Sequence, residues 1–138
     1  MTGGRHAEIA GGGFAGLVAA IALSQRGWSV RVHEKADALR AFGAGIFIWE
    51  NGLRVLKAIG AYDDVIAESH EAKVYEVRDR GELVARTEFS AECNDRMLTM
   101  TRQTLYSAIL AVAKGEEIEF LLNSEVTEAT PDGEILTK

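Results

Sequence analysis

The sequence has one cysteine, one proline and no long apolar run among its 138 residues. Its single cysteine, Cys93, excludes an internal disulfide and is typical of a reducing cytosol, so we expect a cytoplasmic location. No apolar stretch approaches the ~18 residues of a membrane span or has the flanks of a signal peptide, so no membrane partner is expected. The net charge of −6 lacks the basic excess that nucleic-acid binding requires.

Glycine, by contrast, is abundant and concentrated at the start of the chain. There are 14 glycines, and six of them fall within the first 16 residues. With 47% apolar and 26% charged residues, the composition is that of a folded globular chain. The length allows one domain at most. The cluster of glycines indicates that the backbone near the start of this domain needs a conformation or a close approach that other residues do not allow.

The first third of the chain has the pattern of a strand, a helix and a second strand. Residues 7–10 form a short apolar run, residues 14–26 have helical spacing, and residues 29–33 alternate with β-branched side chains. Gly27 is typical of a helix end. Such a βαβ unit needs a crossover connection and therefore predicts a parallel sheet.

The rest of the chain predicts two more helices and several short strands. Residues 36–48 have little periodicity and are interpreted as a loop. An order of βαβ followed by mixed strands and helices predicts an α/β protein with an added antiparallel part. The predicted helices are residues 50–60 and 102–114, and the predicted strands are residues 73–78, 82–89, 97–101, 118–122, 125–130 and 134–137.

Residues 11–16 have the pattern G-x-G-x-x-G between the first predicted strand and the first predicted helix. Gly11 allows a tight turn, Gly13 lets the backbone approach a pyrophosphate, and Gly16 lets helix and strand pack closely. The N–H groups at the helix start favour phosphate. Glu34 ends the second strand, where its carboxylate can accept both hydroxyls of an adenosine ribose and would repel a 2′-phosphate. A tight loop with a solvated carboxylate is the alternative, which the combination of strand, helix and acid disfavours.

Four segments of the chain carry a family resemblance: residues 9–23, 32–35, 43–52 and 101–105. The most specific are Gly-Ala-Gly-Ile from Gly43 and Arg-x-x-Leu from Arg102. Together the segments resemble the front part of the flavin-dependent aromatic hydroxylases, the FAD monooxygenases akin to para-hydroxybenzoate, salicylate and 6-hydroxynicotinate hydroxylases. The resemblance covers nearly the whole chain. It implies an oxidoreductase with FAD as cofactor that uses NAD(P)H and O₂ to hydroxylate a small aromatic substrate.

The same resemblance implies FAD contacts at eleven positions. Those assigned to the pyrophosphate, the adenosine, and the phosphate or ribitol are Gly11, Gly13, Phe14, Ala15, Glu34, Lys35, Arg40 and Val126. Those assigned to the isoalloxazine or to another part of the FAD are Gly45, Ile46 and Arg102. Arg102 is also poorly placed for the dipole of its own helix, and a nearby anion would compensate for this. No catalytic residue and no metal-ligand cluster is predicted.

One departure from the family pattern concerns Phe47, which stands where a histidine commonly follows Gly-Ala-Gly-Ile in the nicotinate-like branch. Phenylalanine cannot transfer a proton, so no acid–base role carries over, and we expect the ring to pack in the core. His33 alternates with buried strand positions and is expected to be structural.

The family's later Asp-Gly and Gly-Asp motifs are absent, and so is its substrate-covering sheet. We therefore interpret residues 1–138 as the N-terminal portion of an FAD-binding domain without a separate substrate domain. The expected fold is α/β, a truncated Rossmann-like FAD-binding βαβ unit with a parallel sheet plus added antiparallel strands. The chain alone is expected to be inactive, and a homodimer is open as its assembly.

Three alternatives stay open at this point. The first is another FAD oxidoreductase of the same fold, such as a halogenase or an isoprenoid reductase. The second is an NAD-dependent dehydrogenase, which is disfavoured because strands and helices do not alternate regularly after Glu34. The third is a non-catalytic dinucleotide-binding fragment that presents its sheet edge to a partner.

Overall fold

The computed structural model describes residues 4–40, 43–90 and 95–138, so Cys93 lies outside the described residues. The chain divides into two compact units, the first of Met1–Phe42 and Tyr106–Lys138 and the second of Gly43–Leu105. None of the helices in the described ranges combines the length and the apolar character needed to cross a membrane.

The helices and strands follow one another along the chain in an order that begins with a βαβ unit. They are β1 (His6–Ala10), α1 (Phe14–Ser24), β2 (Ser29–His33), β3 (Gly45–Trp49), α2 (Glu50–Ile59), α3 (Tyr62–Ala67), β4 (His70–Ala72), β5 (Val74–Asp79), β6 (Glu82–Glu88), β7 (Met97–Thr101), α4 (Arg102–Gly115), β8 (Ile118–Leu121), β9 (Val126–Ala129) and β10 (Ile135–Thr137).

The first unit contains a parallel sheet in the order β1-β2-β8, which confirms the predicted βαβ unit. The apolar stripe of α1 is buried, because Leu17, Ala20 and Ile21 recur at helical spacing and have no exposed surface. Ala20 packs with Val30 and Val32 of β2 in the core. β9 and β10 form a second, antiparallel pair, which lies within the two strands predicted for residues 125–130 and 134–137.

The second unit contains a three-stranded antiparallel sheet in the order β3-β7-β4 and a separate hairpin of β5 and β6. In α2, the stripe of Leu53, Leu56 and Ile59 is buried, as its spacing predicts. Gly60 follows this helix with a φ of 86° and closes it, since glycine adopts this conformation without a steric penalty.

Two sequence predictions in the second unit are wrong. Residues 45–48 belong to a strand and not to a loop, because β3 pairs with β7 from Gly45 opposite Thr101 to Trp49 opposite Met97. Phe47 is 50% exposed and does not pack in the core. The alternation of β3 explains this, since it turns Phe47 to the same, exposed face as Gly45 and Trp49.

Two short elements, α3 and β4, were not predicted from the sequence. Each has six residues or fewer, which is too short to show a clear helical or strand period. Val65 is the only residue of α3 that is buried, so the helix carries no apolar stripe.

Candidate functional site

The glycine loop of residues 11–13 leaves the end of β1 and enters α1 directly. Gly11 has a φ of 95° and donates its N–H to the His33 carbonyl at 2.7 Å, so it makes the tight turn expected of it. A Cβ on Gly16 would overlap the Gly11 carbonyl oxygen, which means that only glycine lets the helix lie this close to the loop. These two glycines therefore fix the path of the backbone.

Gly12 lies between two side chains that hold its backbone. Its N–H donates to Glu34 Oε2 at 2.8 Å, and its carbonyl accepts from the Tyr106 hydroxyl at 2.6 Å. A Cβ on Gly12 would lie 2.5 Å from the Leu39 side chain, so this residue is enclosed. Gly13, in contrast, has open space where a Cβ would stand. The loop is packed on one side and accessible on the other.

Glu34 follows β2 and uses both carboxylate oxygens. Oε2 accepts from the Gly12 N–H and Oε1 from the Ala36 N–H, each at 2.8 Å. A carboxylate has about four lone-pair sites, so each oxygen can accept a further bond from a ribose hydroxyl. The backbone of Glu34 is also fixed, since its N–H donates to Leu121 and its carbonyl accepts from Ser124.

A cleft of about 290 Å³ opens beside this carboxylate at the carboxyl ends of β1 and β2. In open α/β sheets, ligands bind at this end of the strands. Its lining brings four of the predicted FAD contacts together with residues that were not predicted to contribute. The lining residues are Ala10, Gly11, His33, Glu34, Lys35, Ser124, Glu125 and Val126.

His33 is part of the cleft lining and belongs to a polar network that runs across the sheet. Its Nε2 is 2.7 Å from Glu8 Oε2, and its Nδ1 is 2.8 Å from the Ser124 hydroxyl. Glu8 also contacts His6 at 2.8 Å and Arg31 at 3.2 Å. His33 is buried, as its alternation with buried strand positions predicts.

Burial alone would raise the pKa of Glu8, but the hydrogen bonds of His6 and His33 and the positive charge of Arg31 outweigh it. The pKa of this carboxyl is therefore lowered. Sequence reasoning missed the network, although a signal was present. His6 and Glu8 are spaced two apart in β1, and Arg31 and His33 are spaced two apart in β2. This spacing puts the two members of each pair on one face of their strand, and the register, with Glu8 opposite Arg31, brings both pairs to the same face of the sheet.

The other predicted FAD contacts of the first unit lie on the loop, on α1 and after β2. Phe14 and Ala15 are the first two residues of α1, and they follow the loop directly. Arg40 lies 3.9 Å from Asp37, and the two form an exposed ion pair within the segment that follows β2.

Three of the predicted contacts belong to the second unit. Gly45 and Ile46 line an apolar cleft of about 430 Å³ together with Phe47, Thr99 and Met100. Arg102 begins α4 and donates its backbone N–H to the Ala44 carbonyl at 3.0 Å. A Cβ on Gly43 would lie 2.6 Å from Arg102 Cδ, so the stem of the arginine passes directly over this glycine.

The residues of the first unit fit the adenosine diphosphate part of FAD. The first turn of α1 contains no acidic side chain, so nothing there opposes the positive end of the helix dipole. Gly13 leaves space for a phosphate to approach the backbone. Beside the loop, each oxygen of the Glu34 carboxylate accepts one backbone N–H and keeps capacity for a further hydrogen bond.

The comparisons with known proteins extend over nearly the whole chain. Residues 6–137 match the family described as FAD binding domain. A probable 2-heptyl-3-hydroxy-4(1H)-quinolone synthase of Rhodococcus erythropolis is 40% identical over 132 residues, which cover 95% of this chain and 34% of that protein. A 3-amino-4-hydroxybenzoate 2-monooxygenase of Streptomyces cremeus is 39% identical over 89 residues, which cover 63% of this chain and 23% of that protein.

Among solved structures, the tetrameric form of 2-methyl-3-hydroxypyridine-5-carboxylic acid oxygenase is similar, with a TM-score of 0.83 and 44% identity. The similarity covers 98% of this chain and 38% of the oxygenase chain. The chain thus spans about a third of the length of the relatives it matches.

Proposed function

We propose, since this chain belongs to the FAD binding domain family, that its first unit binds the adenosine diphosphate part of FAD for a flavin-dependent monooxygenase. The observation that carries the proposal is the glycine loop. Its peptides are held by Glu34 and Tyr106, while the backbone at Gly13 faces open space. The activity is proposed for the whole protein, of which residues 1–138 form part of the FAD-binding domain.

Each residue of the loop and cleft has a distinct part in this proposal. Gly13 and the first residues of α1, Phe14 and Ala15, present backbone N–H groups to the pyrophosphate, which the helix dipole also attracts. The Glu34 oxygens accept from the ribose hydroxyls. Lys35 and Val126 border the adenosine, because both line the cleft beside Glu34.

We assign Gly11, Gly45, Ile46, Arg40 and Arg102 to the remaining FAD contacts. Gly11 makes the turn under the pyrophosphate, and Gly45 and Ile46 form an apolar wall suited to the isoalloxazine. The guanidinium groups of Arg40 and Arg102 would balance phosphate charge.

The bound FAD would supply the redox chemistry, with NAD(P)H as reductant and O₂ as the oxygen source. We infer a small aromatic or heteroaromatic substrate. The names of the relatives include a quinolone, an aminohydroxybenzoate and a hydroxypyridine, and all three are aromatic rings. A cytoplasmic location and a homodimer stay predictions, and the similar oxygenase has a tetrameric form.

Cofactor binding is tested on the 138-residue chain by titration calorimetry with FAD, ADP and FMN. FAD and ADP should bind with one site per chain, and FMN, which lacks the adenosine diphosphate, should bind at least about tenfold more weakly. Equal affinity for FMN and FAD would contradict the proposal.

The site of binding is tested with Gly13→Glu, which puts a side chain and a negative charge where the phosphates are proposed to lie. We expect the fold to be retained, because no atom would contact the new Cβ. The affinity for ADP should fall by about 100-fold or more. Gly4→Glu is the matched control, since it adds the same charge in open space outside the proposed site. Equal effects of the two variants would place the nucleotide elsewhere.

The activity is tested on the whole protein that carries this chain. Aromatic ring compounds should stimulate its NAD(P)H oxidation together with O₂ consumption. A requirement for halide, or reduction of an isoprenoid chain without O₂ uptake, would instead favour the alternative FAD oxidoreductases.

A further inference from the structure

Tyr106 lies in α4 and is 2% exposed, with its hydroxyl directed at the glycine loop. The hydroxyl donates to the Gly12 carbonyl at 2.6 Å, and this contact lies within the first unit. The rings of Tyr106 and Phe14 pack edge to face, with their centroids 5.6 Å apart and an angle of 83° between the ring planes. The tyrosine is therefore held in place by packing as well as by its hydrogen bond.

The geometry of the peptide bond links this hydroxyl to the accessible side of the loop. The carbonyl of Gly12 and the N–H of Gly13 belong to the same planar trans peptide, so they point in opposite directions. When Tyr106 holds the carbonyl, it also fixes the direction of the Gly13 N–H. That N–H then points away from the tyrosine.

The preceding peptide is held in the same manner by a different side chain. Glu34 accepts from the Gly12 N–H, so two successive peptides each have one side-chain partner. The Gly12–Gly13 peptide needs such a partner, because glycine on both sides lets it rotate at little steric cost.

The chemistry of the phenol suits a permanent donor. Burial, with a smaller contribution from the charge of Glu34, raises the pKa of Tyr106. The hydroxyl therefore stays protonated and continues to donate to the Gly12 carbonyl throughout the neutral range.

We propose that Tyr106 is a positioning residue for pyrophosphate binding, which acts through the Gly12 peptide and holds the Gly13 N–H in the direction that a diphosphate accepts from. The inference rests on the proposed function, since it presupposes that the loop binds a diphosphate. It assigns a role to a residue that the family resemblance left without one.

The test compares Tyr106→Phe with Tyr62→Phe on the 138-residue chain. Tyr62 also loses one hydrogen bond, from Arg96 at 3.1 Å, but belongs to the second unit. Calorimetry with ADP and with adenosine, which has no phosphate, separates positioning of the pyrophosphate from general loss of structure. Tyr106→Phe should weaken ADP binding about five- to tenfold and leave adenosine binding within about twofold. Tyr62→Phe should change neither.

The outcomes are distinct. An equal loss for ADP and adenosine, or unchanged ADP binding, would overturn the role of Tyr106. Failure of the unmodified chain to bind ADP would instead overturn the proposed function.

Two further replacements keep the test decisive if the phenylalanine variant does not fold. 4-Fluorophenylalanine at position 106 fills the space of the hydroxyl but cannot donate a hydrogen bond. It should therefore weaken the binding of ADP but not that of adenosine. 4-Aminophenylalanine restores a donor and should recover ADP affinity to within about twofold of the unmodified chain. If the fluoro and amino replacements bind ADP alike, donation by residue 106 is irrelevant and the inference fails.

Discussion

The two units differ in how tightly their backbone and side chains are held. In the first unit, hydrogen bonds hold the Gly11 N–H, the N–H and carbonyl of Gly12, and the Gly13 carbonyl. The neighbouring strand β2 ends at the buried His33. In the second unit, β6 is exposed along its whole length, and large apolar side chains such as Phe47 lie at the surface. Substitutions should therefore reduce stability most where the backbone itself is packed, as it is in the glycine loop. In the exposed hairpin, side chains should be replaceable.

The two units also differ in where their polar networks lie. The Glu8 network of the first unit reaches His33 and Ser124, which line the proposed cofactor cleft. In the second unit, Arg96 joins Glu50 at 2.9 Å and the Tyr62 hydroxyl at 3.1 Å. The hydrogen bond of Arg96 is the main reason that the pKa of Glu50 is lowered. This second network links α2 and α3 and supports the packing of those helices.

The largest expected effect is that of Gly16→Ala. The new Cβ would overlap the Gly11 carbonyl oxygen, a backbone atom that cannot move without opening the loop. We expect a loss of at least about 3 kcal/mol in the free energy of unfolding, measured by chemical denaturation. Gly115→Ala is the matched control, since open space surrounds it at the end of α4. If both variants unfold at the same denaturant concentration, Gly16 does not pack against the Gly11 carbonyl as closely as described.

A smaller effect, which depends on pH, is expected for Glu8→Gln. The folded protein lowers the pKa of Glu8 below its ordinary value of 4.5, so this carboxylate contributes stability above that pH. The contribution is lost as the pH falls through the lowered pKa. Stability measured between pH 7 and pH 3, at equal salt, should therefore fall less steeply in Glu8→Gln than in the unmodified chain.

The control for this experiment is Glu88→Gln, because Glu88 is an exposed glutamate of the β5–β6 hairpin. Its pH profile should follow that of the unmodified chain. Identical profiles for Glu8→Gln and Glu88→Gln would mean that the network around His33 does not stabilise the first unit.

The smallest effect is expected for Val84→Thr in β6. Val84 is 65% exposed, so the added hydroxyl stays in water, and stability should change by no more than about 0.5 kcal/mol. Val32→Thr makes the same chemical change at a fully buried position of β2 and should cost about 2 kcal/mol, because the hydroxyl is desolvated. Thermal melts of the two variants should show a much larger fall in melting temperature for Val32→Thr. Equal falls would contradict the expected difference in sensitivity between the two units.

Turn residues and the periodicity of apolar residues were sufficient to predict those elements whose contacts are between residues close in the sequence. The loop of residues 11–16, α1 and the β5–β6 hairpin all follow from turn glycines and short-range periodicity. The prediction for Phe47 was wrong because the two glycines before it obscured the strand alternation of β3. Tyr106 could not be found at all, since its partner Gly12 lies 94 residues away and no local rule connects them.

The central claim is that the first unit contains a preformed site for the adenosine diphosphate of FAD. It is tested most directly by following the backbone amide NMR signals of the 138-residue chain during titration with ADP. The account predicts the largest shifts at the Gly13 amide and its neighbours in residues 11–15, with further shifts at Glu34, Lys35 and Val126. The β5–β6 hairpin should not respond. Saturable shifts centred on the hairpin, with none at residues 11–15, would contradict the claim.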